Sequence, residues 1–168
     1  MRALGYYKEL SLSEYSLDFS EAMSKSSKLV ISCDTMPEEA QRASLYMSLV
    51  SCEISLKYIV AKAKVRVPKT HDLSKLVDLV SACTVEDEIT MGTIMRVPAS
   101  RIRSVVACEK YVNATLGNLL ESELIGASKF PNEIRYGHVL KHFPAEVMQK
   151  ASMRLLTWVK RYENSIQS

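Results

Sequence analysis

One stripe of residues constrains this chain more than any other feature. Leu45, Leu49, Cys52, Leu56, Ile59 and Ala63 stand alternately four and three residues apart, so on an α-helix they line one side over about five turns. Tyr46, Val50 and Ile54 add a second apolar flank, which predicts a central helix covered from more than one direction. Its start is marked by Asp34 or Thr35 as a cap, by Pro37 in the first turn, and by Glu38 and Glu39 at the positive end of the helix dipole. The stretch "KAKVRVPKT", with Pro68 and a run of basic residues, closes it as a loop.

Weaker patterns flank this one. Residues 1–10 read as an irregular arm. From there Leu12, Tyr15, Phe19, Met23 and Val30 recur near helical spacing, with Ser11 or Ser13 as N-cap. Beyond the basic loop, "HDLSKLVDLV" restarts helix through Leu73, Leu76, Val77 and Val80. Residues 84–100 suit a short helix followed by a loop. From Pro98 or Ser100 onward, Ile102, Val105, Cys108, Val112, Leu116 and Leu119 predict a further long helix. Pro144 opens a last one carrying Val147, Ala151, Leu155, Trp158 and Tyr162. Strand signals are thin: no Asn-Gly hairpin turn and no sustained alternation occur. With only five glycines and five prolines, the expectation is an all-α bundle of four to five main helices. Residues 1–36 form an arm and helix packed on a bundle spanning residues 37–168.

The 168 residues suffice for one domain with a proper core. A hydrophobic share of 47% and a charged share of 24% suit a soluble globular protein, and the net charge of +3 is compatible with an anionic ligand without requiring one. Cys33, Cys52, Cys83 and Cys108 show no metal-ligand spacing and are expected as buried free thiols of a cytoplasmic protein. No secretory signal and no run approaching the roughly twenty apolar residues of a membrane span is apparent, so no membrane contact is expected. Phosphate loops of the GxxxxGK[ST] and GxGxxG types, the GxSxG elbow and HExxH are all missing. Neither a metal site nor a cofactor is therefore expected.

Two segments carry the remaining chemistry. In "PKTHDLSKLVDLV", His71 and Asp72 stand at a helix entry behind the basic loop, where Asp72 or Thr70 can serve simply as a cap. In "KFPNEIRYGHVLKHFPAE", Arg135, Tyr136, His138, Lys141 and His142 crowd one connection between helices. An arginine there can hold a phosphate while a histidine moves a proton, the parts needed to cleave RNA through its own 2′-hydroxyl without a metal. The same segment also reads as a plain turn, with Arg135 paired to Glu133 or Asp72 and Gly137 supplying an unusual backbone angle.

Taken together, the long helix, "PKTHDLSKLVDL" and "FPNEIRYG" resemble the HEPN family (higher eukaryotes and prokaryotes nucleotide-binding domain) over roughly residues 38–164. The resemblance implies an up-and-down helical bundle that pairs as a homodimer. It implies a nucleotide- or RNA-binding module beside a nucleotidyltransferase or an antitoxin-type or defence partner, or else a metal-independent endoribonuclease. For the binding module, His71, Asp72, Arg135, Tyr136, His138 and Lys141 are the site residues, with Lys69 beside them and the Tyr136 ring available for stacking. For the ribonuclease, Arg135 and His142 are the catalytic pair. Tyr136 directly after Arg135 matches the nucleotide-binding form of the motif, and His142 stands two residues before Pro144, so the binding module ranks first. A non-catalytic helical adaptor is the third reading.

Overall fold

The computed structural model describes residues 15–33, 37–122, 130–137 and 143–168. Among these, five α-helices surround a core assembled on the expected central one: α1 (Leu17–Val30), α2 (Pro37–Lys62), α3 (Leu73–Ser81), α4 (Leu116–Glu121) and α5 (Ala145–Tyr162). The whole predicted stripe of α2, from Leu45 to Ala63, is buried. So are the stripes of α3 (Leu73, Leu76, Val77, Val80) and α5 (Val147, Ala151, Leu155, Trp158, Tyr162). α2 lies between α1, α3 and α5 and touches all three. Pro37, Glu38 and Glu39 form its first turn as expected, while the proposed caps Asp34 and Thr35 lie outside the described residues. Cys52, Cys83 and Cys108 are buried, and Cys33 is half-buried.

By length and hydropathy α2 does qualify as a membrane span, which corrects the expectation that no segment comes close; 67% of its most apolar window is nevertheless buried inside the protein. That burial is the signature of a core helix.

The first helix departs from its predicted face. It begins at Leu17 behind the cap Ser16, whose hydroxyl accepts from the Phe19 amide, and the suggested caps Ser11 and Ser13 lie outside the described residues. Its apolar side is not the buried one: Phe19 is 55% exposed, and the buried residues are Ser20, Ser24 and Ser27. These meet a matching row on α2. Ser20 Oγ donates to the Ser51 carbonyl at 2.7 Å and lies 2.9 Å and 2.8 Å from the hydroxyls of Ser51 and Ser55. Ser27 Oγ donates to the Ser44 carbonyl at 2.9 Å and lies within 2.8 Å of the Ser44 and Ser48 hydroxyls. Ser24 reaches Ser152 of α5 at 2.6 Å. A hydroxyl is costly to bury alone, and here each finds a partner.

Two further expectations are overturned. Residues 84–98 of the stretch 84–100 are a hairpin rather than a short helix and loop: β1 (Thr84–Thr90) pairs antiparallel with β2 (Thr93–Pro98), so the bundle carries a small sheet. Val85 and Val97 face each other on the buried side, and Gly92 turns the chain at φ +80°. The long helix expected from Pro98 or Ser100 to Leu119 is not formed. A 3-10 turn (Ala99–Ser104) gives way to a loop of turns closed by the Val106–Thr115 bridge, and only then does α4 begin. Asn113 sits at φ +65°, a left-handed position that asparagine tolerates and a continuous helix forbids. Ile102, Cys108, Leu116 and Leu119 do reach the core, but Val112 is 86% exposed.

Candidate functional site: one face of α2

The two segments singled out in the sequence both dock on α2. Pro131–Tyr136 is a 3-10 turn anchored by the buried Pro131 and Ile134. Arg42 of α2 clamps its backbone: Nε donates to the Ile134 carbonyl at 2.9 Å and Nη2 donates to the Arg135 carbonyl. Gly137 ends the turn at φ +101°, where any other L-residue would be strained. The backbone is thus fixed. Tyr136 is 78% exposed, and Arg135 is exposed with no ion pair among the described residues. Arg135 borders an open cleft of about 210 Å³ lined by Glu39, Arg42, Ala43, Tyr46 and Ile134.

The other segment lies further along α2. Asp72, 4% exposed, is the N-cap of α3: its Oδ1 accepts from the Ser74 amide at 3.1 Å, the Ser74 hydroxyl at 2.8 Å and the Lys75 amide at 3.4 Å. Its carboxylate is therefore occupied by the helix, the capping role already open to it. His71 instead turns toward α2, with Nδ1 2.9 Å from Glu53 Oε1. Lys57 Nζ donates to the same oxygen at 2.8 Å and sits 5.6 Å from the centre of the Tyr15 ring. Glu53 and Lys57 are both buried, whereas the His71 side chain is 58% exposed. A carboxylate only accepts, so this contact places a proton on His71 Nδ1 and leaves Nε2 available on the open side.

Arg42 and Glu53 are eleven residues apart on α2. At 100° and 1.5 Å per residue that returns to within about 20° of the same side, about 16 Å along the axis. The Arg135–Tyr136 corner and the His71 cluster thus lie on one face of one helix, at separate points along it. They do not line a common pocket among the described residues. His138, Lys141 and His142 lie outside the described residues.

Arg42, Glu53 and Lys57 were missed in the sequence. A signal for two of them was present: an acid and a base four residues apart interrupt the long apolar helix, an arrangement unnecessary on a buried face unless the pair has its own partner. Comparison with protein-family models, with curated proteins and with solved structures finds no match to this chain.

Proposed function

We propose that this chain is a HEPN-like nucleotide- or RNA-binding module that works beside a nucleotidyltransferase or a toxin–antitoxin or defence partner. The observation that carries the reading is the Arg135–Tyr136 corner: an exposed guanidinium without an ion pair among the described residues and an exposed phenol ring, presented on a backbone that Arg42 and Gly137 hold in place. Arginine takes phosphate through two parallel N–H bonds, and an exposed ring stacks on a base. Thermal unfolding in the presence of nucleoside monophosphates and short RNA tests it. A ligand at 100 times its Kd stabilises the native state by about 2.7 kcal/mol, and Arg135→Ala should remove the shift. A shift that survives Arg135→Ala, or no shift with any of these ligands, would remove the corner from consideration.

A second reading, the metal-independent endoribonuclease, is favoured by one observation. His71 is oriented by a buried carboxylate, the arrangement that fixes an imidazole for proton transfer. Incubation of single-stranded RNA with chelator decides it. Cleavage lost in both Arg135→Ala and His142→Ala would place the enzyme's site at the corner, and cleavage lost in His71→Ala alone would place it at the Glu53 cluster; intact RNA would leave the binding module.

A further inference from the structure

We infer that what this module binds is a single strand of nucleic acid laid along α2, from Tyr136 at one end to the basic loop between α2 and α3 at the other. The inference rests on the reading of Arg135 and Tyr136 as a nucleotide contact and extends it to a ligand class and a second contact site.

The charge distribution is the first argument. Residues 62–75 hold five of the 22 basic residues (Lys62, Lys64, Arg66, Lys69, Lys75) and one of the 19 acidic ones, a local +4 that leaves 17 against 18 elsewhere. Asp72, the single acid, is buried in its cap, whereas all five cations are exposed. Lys64, Arg66 and Lys69 make no ion pair among the described residues. This loop and the helix ends that flank it therefore hold more than the chain's whole positive excess of +3, and the rest of the chain is slightly acidic. Clustered cations that touch no acid raise the local concentration of a polyanion and release its counterions when it binds.

Position is the second. The loop leaves α2 at Lys62 and folds back along it, so that His71 reaches Glu53, nine residues before the helix ends. Lys69, two residues before His71, is thereby brought back beside α2, whose Glu53 lies on the same side as Arg42. The interval of about 16 Å between Glu53 and Arg42 spans about five steps of a strand stacked at the duplex rise of about 3.4 Å per nucleotide, and fewer of an extended one. A single nucleotide cannot touch both ends; a short strand can. Its bases stack on Tyr136 and its phosphates pass the lysines, which as point charges impose no sequence.

A membrane surface would offer the same negative charge, but the loop has nothing to insert. Its apolar residues Val65 and Val67 are turned inward and packed on the core.

Fluorescence anisotropy with labelled oligo(U) of two to twelve nucleotides tests the inference, alongside UMP, oligo(dT) and phosphatidylserine vesicles. Affinity should rise with length up to about six nucleotides and then level, at least tenfold above UMP, with tight binding of either polymer supporting the inference. The triple variant Lys64→Gln, Arg66→Gln, Lys69→Gln should bring the hexamer down to the level of UMP. It should also reduce the slope of log K against log salt by about 2, at roughly 0.7 per lost phosphate contact. UMP binding itself should be weakened in Tyr136→Ala. UMP bound as tightly as the hexamer, or an unaltered salt slope in the triple variant, overturns the strand and leaves the nucleotide corner standing. Hexamer binding indifferent to Tyr136→Ala overturns the path along α2. Loss of all nucleotide and oligomer binding removes both readings, and vesicles bound in place of oligomers would make the loop a membrane contact.

Discussion

α2 meets its neighbours through two different chemistries. Toward α3 and α5 it presents Leu45, Leu49, Leu56 and Ile59, fully or almost fully buried. Toward α1 it presents Ser44, Ser48, Ser51 and Ser55, equally buried and hydrogen-bonded. The leucine side gains from every methylene removed from water. The serine side removes few methylenes, and its hydroxyls exchange bonds to water for bonds to one another at a small net gain. Equal burial therefore does not imply equal stabilisation, and α1 is held less firmly than α5 even though both lie against the same helix.

The largest test breaks the leucine side. Leu56→Ala opens a cavity at a position with 0% exposure, and the expected loss is about 4 kcal/mol, read as a lowered urea midpoint at constant slope. Next is the charged pair between these two surfaces and the candidate site. Lys57→Met strands the buried Glu53 carboxylate with only His71 beside it, at an expected cost of about 3 kcal/mol. The double variant Glu53→Leu, Lys57→Met should recover most of that loss, because two apolar side chains need no partner. Failure to recover would show that His71 depends on Glu53 for more than charge balance.

The serine side should respond weakly and non-additively. Ser27→Ala leaves the Ser44 and Ser48 hydroxyls one partner short, for an expected loss of about 1 kcal/mol. Replacing Ser27, Ser44 and Ser48 together by alanine removes the orphaned hydroxyls as well, so the triple variant should cost little more than the single one. Three independent losses adding to a much larger effect would mean that the hydroxyls, rather than close packing, hold α1 in place.

The same contrast explains what the sequence disclosed. The leucine stripe is legible because hydrophobicity and burial coincide along it, and the same holds for Leu73 to Val80 and for Val147 to Tyr162. On α1 they do not coincide: the apolar Phe19 is mostly exposed while Ser20, Ser24 and Ser27 go inside, and nothing in one sequence marks a serine as buried. The hairpin is obscured for a related reason. Asp87 follows the buried Val85 on its face of β1, held by Arg161 at 2.6 Å, and Ile89 is 47% exposed beside a break in register, so the expected alternation is broken by a charge whose partner is 74 residues away. Between Ile102 and Leu119 the spacing imitates a helix that the left-handed Asn113 interrupts. At the candidate site, His71, Arg135 and Tyr136 were identified by type, but their common support on α2 depends on Arg42 and Glu53, whose roles emerge only when distant segments meet.

Acid gives the smallest effect and the most selective one, since no hydroxyl of the serine row titrates below neutrality. α1 has one charged tie to α5: Glu21 is 2.6 Å from Lys160 and 2.8 Å from Lys25 of its own helix. The Lys160 contact first, and Lys25 after it, lower the Glu21 carboxyl from 4.5 to about 2. A carboxylate whose pKa is lower in the folded state contributes stability that is complete above about 4.5 and disappears as the pH falls toward 2. Lys160 is about half exposed and Glu21 half-buried, so solvent screens the pair and the contribution is small. It should appear as a difference: between pH 6 and pH 3 the urea midpoint of the native chain should fall further than that of Glu21→Gln. Amide exchange should place the extra opening in α1 and leave the leucine face of α2 protected. Equal falls in both chains would mean that α1 is held by its hydroxyl contacts alone.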